Sequence, residues 1–339
     1  MFESTINRLR MLASLKLTLL GIAALLAGVL LAYFSQDRSS VWIILPLVIL
    51  TVNLFAAILF NPRIRQNSGL LMFHVCLLMI AVLALLSQLT SMKGRVEITQ
   101  GTAFNAGSVT VTEQGAWHYL DELQQVEFVQ GDIEVEYTAG LRRGPTRSQL
   151  QLINDDVIVV GDNLAFESRG YRFYTTSNKG FAAMLNWHTK DGSVERGSIH
   201  FPSYPLYDWK QQNQWQAPTG EQLAFELMID TPLDPEHDWL LQSVERAGYL
   251  LVTLPSGVKH TLAPGETIEL DNGLLEFEAI RMWMGYKIFY DPWLAWFFAA
   301  ALVGVAGIGW HYTLKLSSAG NGRSAVDRKA GRSRIVSTT

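Results

Sequence analysis

From Gln66 through Met92 the chain carries no charged side chain. A run of that length has few folded destinations, because about 20 apolar residues in a helix cross the hydrocarbon of a bilayer. Within lipid, a helix satisfies its own backbone hydrogen bonds without help from water. Three more segments have this character, and the expected spans are 15–34, 41–60, 69–90 and 293–314. None has an acidic or basic residue in its middle. The first resembles a secretory leader in position only. Its apolar run is too long, no clear small-x-small cleavage site follows, and a second span comes at once. It is expected to be a retained anchor.

The basic residues orient the spans. Arg8, Arg10 and Lys16 flank the first span, and Arg63 and Arg65 occupy the second loop. The tail carries Lys315, Arg323, Arg328, Lys329, Arg332 and Arg334, whereas the first loop has only Arg38, balanced by Asp37. Positively charged flanks stay cytoplasmic. The expectation is therefore a cytoplasmic N-terminal segment (1–14), three spans, an extracytoplasmic domain (91–292), the fourth span and a basic cytoplasmic tail (315–339).

The stretch Ser91–Asp291 holds 15 Lys and Arg against 28 Asp and Glu, a net of −13. That sign excludes nucleic acid as a partner, which takes a basic surface. The stretch reads as mainly antiparallel β, a two-sheet sandwich or barrel-like domain. Val109–Thr112, Val126–Val129, Ile133–Tyr137, Gln149–Ile153, Tyr171–Tyr174, Gly248–Val252 and Leu274–Ile280 have the β-rich or alternating pattern of half-buried strands. Turn signals lie at Gln130-Gly131-Asp132, Arg143-Gly144-Pro145, Lys190-Asp191-Gly192, Pro255-Ser256-Gly257 and Asp271-Asn272-Gly273. The part between His200 and Trp239, rich in Pro, Trp and Gln, reads as an irregular insertion with one strand near Leu223–Ile229.

His74 is the candidate functional residue, an imidazole in the third apolar run. Ionisable groups at membrane depth are costly and face a partner, a cavity or a cofactor. Neutral imidazole is also a good iron ligand. His74 is thus a candidate axial ligand of haem, or else a hydrogen-bonding residue between helices. His118, His188, His200, His237 and His260 are scattered through the acidic domain without metal-ligand spacing and read as ordinary structural or surface residues. His311 sits at the end of the fourth span beside Trp310 and Tyr312, and reads either as a membrane-boundary residue or as a second ligand sharing iron with His74.

The single cysteine, Cys76, lies inside the third span and reads as a core residue. The chain has neither C-x-x-C nor C-x-x-C-H, so it holds no thiol relay of its own and no covalent haem of the usual kind. Gly21, Ala24 and Gly28 share a face of the first span, and Ala300, Gly304 and Gly307 share one of the fourth. Such faces let helices approach closely. Asn53 reads as a polar packing residue or as part of a path through the membrane, and Phe2, Ile6, Leu9 and Leu12 as an interfacial helix.

The order of features resembles the ResB/CcsB family of System II cytochrome c biogenesis across essentially the whole chain. Leu9-Arg10-Met11-Leu12-Ala13-Ser14-Leu15-Lys16 is similar to that family's opening "LRSxK/R" run. His74 matches the position of its membrane histidine, and Gly94–Phe104 the segment leaving that span. Asn163–Tyr174 looks like "NxPLxYxGYRFYQ", and Gly285–Pro292 like "GLxVxxDPG". Leu164-Ala165 stands where Pro-Leu is usual, Trp293 replaces a glycine, and the β domain is short for the family.

The resemblance implies a multi-pass protein of the bacterial plasma membrane that acts with a CcsA-type partner. Together they would move haem outward and enable its attachment to a CxxCH apocytochrome c. The partner's Trp-rich W-W-D motif is absent here, so this chain would at most be the accessory subunit of a holocytochrome c synthase. His74 would hold haem b non-covalently, with a second histidine from the partner. Two other readings stay open: a membrane scaffold or sensor with a ligand-binding β domain and no haem, and a b-type electron-transfer subunit. The latter usually needs paired histidines on two helices.

Overall fold

A computed structural model of the chain describes residues 11–35, 41–217, 220–230, 233–243, 247–270 and 273–335, with side chains to Leu316 in the last helix. The N-terminal interfacial helix lies almost wholly outside them, as do most of the first loop and the Asp271-Asn272 part of one turn. The described residues form a helical unit and a β unit.

Four helices are long and apolar enough to cross a membrane: α1 (Leu15–Ser35), α2 (Val41–Phe60), α3 (Ser68–Thr90) and α4 (Leu294–Ile335), the last through its apolar part to Leu316. Their large apolar side chains are widely exposed, among them Leu19, Leu26, Phe55, Met79 and Leu302. That distribution suits lipid and not water. The spans pack in a row, α1 on α2, α2 on α3 and α3 on α4.

Polar groups and small residues fix those contacts. Asn53, almost fully buried on α2, accepts from the Thr18 hydroxyl at 2.7 Å and donates to the carbonyls of Leu12 and Ser14. It is thus a packing residue with its hydrogen bonds made within the helical unit. Gly21 of α1 meets Leu50, and Gly304 and Gly307 of α4 meet Cys76, Met72 and Phe73 of α3. The two small-residue faces pack as the spacing predicts.

Fifteen strands are described, mainly antiparallel as expected, in three sheets and so not as a two-sheet sandwich. The first sheet holds β1 (Met92–Thr99), β2 (Thr110–Gln114), β6 (Phe166–Ser168), β7 (Tyr171–Thr189), β8 (Val194–His200), β14 (Thr267–Leu270) and β15 (Gly273–Tyr290). The second runs in the order β11 (Trp239–Gln242), β3 (Val129–Thr138), β4 (Arg142–Gln151), β5 (Val157–Gly161). The third runs β13 (Lys259–Leu262), β12 (Gly248–Thr253), β10 (Gln222–Ile229), β9 (Gln212–Gln216).

The long β7–β15 pair is the spine. Its antiparallel register runs from Gly273↔Thr189 to Tyr290↔Tyr171, with irregularities at Phe277/Ala279 and Met284/Tyr286. Strands β6 and β7 join through the two-residue turn Arg169-Gly170, both at positive φ, the turn that matches strand twist. A side chain at Gly170 would also meet the Tyr290 ring at 3.0 Å.

Several expectations need correction. Gly131 and Gly144 lie inside β3 and β4, not in turns; each approaches the neighbouring strand closely, and the register slips between Gln130 and Ile133. The actual turn falls at Ala139–Leu141, with Gly140 and Leu141 at positive φ. Val126–Phe128 lies outside the ladders, which begin at Val129, although Val126 and Phe128 are core residues. The insertion carries β9 as well as β10. The other expected strands and the turns at Lys190–Gly192 and Pro255–Gly257 are present.

Two sheets are bolted together by one buried triangle. Tyr286 Oη donates to Gln130 Oε1 at 2.6 Å and lies 2.6 Å from Ser148 Oγ, which accepts from Gln130 Nε2 at 2.8 Å. All three side chains are fully buried, and burial raises the Tyr286 phenol well above its usual range. Tyr286→Phe strands the amide oxygen of Gln130, at a cost of about 1–3 kcal/mol. Urea unfolding followed by tryptophan emission should show that loss. An unchanged midpoint would mean that water replaces the phenol.

Candidate functional site

The sequence places His74 on α3, and the local structure decides what its ring can do. Asn67 caps the helix: its Oδ1 accepts from the Leu70 amide at 3.1 Å. One turn later His74 Nδ1 lies 2.8 Å from the Leu70 carbonyl oxygen. A carbonyl only accepts, so in the neutral ring Nδ1 carries the proton and Nε2 the lone pair. This is the tautomer of a metal-bound histidine that ligates through Nε2 while its other nitrogen is held by a backbone carbonyl. Phe73 stands edge-on to the ring, with centroids 5.5 Å apart.

The orientation matters as much as the tautomer. Gly69, Met72, Phe73 and Cys76 form the face of α3 that meets α4. Five residues beyond Gly69, His74 lies about 140° round the helix from it. It is partly exposed, on a side that α4 does not cover.

His311 has a different place. Its Nδ1 lies 3.0 Å from Asn67 Oδ1, which cannot donate, so here too Nδ1 carries the proton. A side-chain carbon at Gly69 would lie 2.7 Å from the His311 nitrogen, which measures how closely α4 seats there. Asn67 precedes His74 by seven residues, about 10 Å along the axis. The structure does not bring the two histidines together, and His311 ties α4 to the start of α3.

No protein-family model matches the chain, and no curated protein matches it. Its chemistry is therefore read from its own residues. Among the described residues no group of three His, Cys, Asp or Glu side chains is placed to hold a metal ion. Beyond its bond to Leu70, the His74 ring has one further nitrogen, Nε2.

Sequence reasoning missed the far end of α3. The segment Glu113–His118 belongs with the helices and not with the β unit. Gly115 N–H, Trp117 N–H and His118 Nδ1–H donate to the carbonyls of Ser91, Leu89 and Thr90. They satisfy acceptors that a helix end leaves open. His118 is buried, and desolvation lowers its pKa against the opposing pull of its Thr90 hydrogen bond. Asp291 accepts from Ser87 Oγ at 2.8 Å and from the Trp293 amide at 3.0 Å, so one carboxylate joins the end of α3 to the start of α4. Asp291-Pro292 is legible as a helix start, whereas nothing in the pattern around His118 announces a cap.

Three of the other histidines hydrogen-bond to acidic or hydroxyl side chains. His188 meets Glu276 at 2.8 Å, His237 meets Asp234 at 2.9 Å, and His200 bridges Thr99 at 2.7 Å and Glu97 at 3.2 Å.

Proposed function

We propose that this chain is the membrane subunit of a System II cytochrome c biogenesis complex, holding haem in transit through His74. The haem would be cargo: non-covalently bound in the membrane, then passed to a CxxCH apocytochrome c outside the cytoplasm. A CcsA-type partner would supply the second axial ligand. The protein would sit in a bacterial plasma membrane with both termini inside, as its basic flanks suggest.

One observation carries this reading. The Leu70 carbonyl fixes His74 in the Nε2-ligating tautomer, on a helix face that α4 leaves open. The ring is partly exposed there. His311, the alternative second ligand within the chain, is engaged with Asn67. Low-spin haem takes two strong axial ligands, which is why a partner is required.

The test is the visible spectrum of the complex purified with a CcsA-type protein. His74→Gly should lose the low-spin haem signal by at least tenfold, and added imidazole should restore it by filling the vacated position. Unchanged haem in His74→Gly would assign His74 to helix packing. A wild-type complex without haem would favour the scaffold reading.

A further inference from the structure

Sheet edges expose unpaired backbone groups, and folded proteins guard them with charges, prolines or bulges. Strand β5 is the last strand of its sheet and pairs with β4 alone among the described residues. Its sequence, Val157-Ile158-Val159-Val160-Gly161, makes it the only described strand without a polar side chain. Every other end strand has a charged residue or a side-chain amide, such as Glu113 in β2, Lys259 in β13 or Gln242 in β11.

The residues are also turned outward. Val157 and Val159 are 57% and 44% exposed, with Ile153 at 75% in the β4–β5 turn and Leu164 at 63% beyond the strand. Ile158 and Val160 face inward. An exposed, uncharged, β-branched edge is a template for strand addition.

Charge selects the occupant. Asp155 and Asp156 stand exposed immediately before β5. The turn they form borders an open groove of about 790 Å³, lined by Phe104, Val126, Phe128 and Ile153 with Glu127 and Asp155 on its wall. At the far end Asp162 is paired with Arg143, so the unbalanced negative charge lies at the start of the strand. A second copy of this chain offers less: antiparallel self-pairing centred on Val159 sets Asp156 against the Asp162–Arg143 pair of the other copy, which brings no free cation to it.

We infer that the β5 edge receives an extended segment of a partner protein, added antiparallel, with basic residues where its C-terminal end meets Asp155 and Asp156. Main-chain hydrogen bonds give the affinity, and the acidic end sets direction and register. This surface does not depend on the role of His74.

The test uses the full chain in detergent micelles and three labelled peptides followed by fluorescence anisotropy. The first alternates threonine and valine and ends in two lysines, the second ends in two glutamates, and the third is the lysine peptide with alternate amides N-methylated. The lysine peptide should bind at least tenfold more tightly than either of the others at low ionic strength. Val159→Lys, a guarded edge, should weaken it at least tenfold. Asp155→Asn with Asp156→Asn, which leaves the strand intact, should erase the preference for lysine over glutamate. Binding that ignores N-methylation or survives Val159→Lys would overturn the proposal. So would efficient disulfide crosslinking between two copies of a Val159→Cys chain.

Discussion

The stability of the β unit should rise by about 2 kcal/mol between pH 8 and pH 10 and then fall, with Lys179 responsible for the rise. Lys179 lies on β7 and is 2% exposed. Its Nζ sits 5.4 Å over the Tyr137 ring and donates only a long bond, 3.3 Å, to the Ser177 carbonyl. No ion pair among the described residues includes it. Burial, reinforced by the charge of Arg143 and opposed by Asp162, lowers its pKa from 10.5 to about 8.

Below pH 8 both folded and unfolded chains keep the proton, and the folded chain bears the whole cost of a buried charge. Above pH 8 the folded chain loses a proton that the unfolded chain still holds. Unfolding then becomes less favourable as pH rises. The gain ends as the unfolded lysine titrates near 10.5. Tyr137, Tyr171 and Tyr286 reverse the trend from about pH 10, because burial raises all three phenols, the first two to about 12, and the unfolded chain then ionises first. Lys179→Met should flatten the rise and stabilise the fold at pH 7 by about 2 kcal/mol, the cation–π contact with Tyr137 being a partial loss. Urea unfolding of the full chain in micelles from pH 7 to 11 gives both numbers. A variant with the wild-type slope would place the titrating group elsewhere.

That lysine also marks where the sequence stops being legible. Ser177-Asn178-Lys179-Gly180 has the composition of a turn, yet it lies within the 19-residue strand β7. The register irregularity beside it, where Gly285 packs closely on Thr176 and Asn178, absorbs the misfit. Gly131 and Gly144 mislead for the same reason: a glycine that permits a turn also permits close approach of a neighbouring strand. The four spans are legible because hydropathy alone decides them. His74 was legible as an unusual residue on a span, but its tautomer depends on Leu70 and its open face on where α4 packs. The capping role of His118 is a contact across 28 positions, and short-range pattern carries no trace of it.

Substitution at the α3–α4 seam should be costly, and its sign follows from space rather than helix propensity. Alanine stabilises a helix interior over glycine by up to about 1 kcal/mol. At Gly309 an added carbon meets nothing within 4 Å, so Gly309→Ala should be neutral or slightly stabilising. At Gly69 the same carbon would lie 2.7 Å from the His311 nitrogen and 2.8 Å from the Gly307 carbonyl oxygen. Both are backbone atoms, which no rotamer change can move aside. The helices must part, loosening the Gly307–Phe73 and Gly304–Cys76 contacts and lengthening the Asn67–His311 hydrogen bond. Overpacking of this kind costs about 1–3 kcal/mol, more than propensity returns. Gly21→Ala should fall between these two, since its nearest contact is the flexible Leu50 side chain at 2.7 Å. Thermal unfolding in micelles should rank the variants Gly69→Ala below Gly21→Ala below Gly309→Ala. Equal midpoints across the three would mean that α3 and α4 do not depend on this close approach. On the haem-holding reading proposed above, His74 lies away from the seam, so Gly69→Ala that remains folded should keep the haem signal of the wild-type complex, which separates helix packing from ligation.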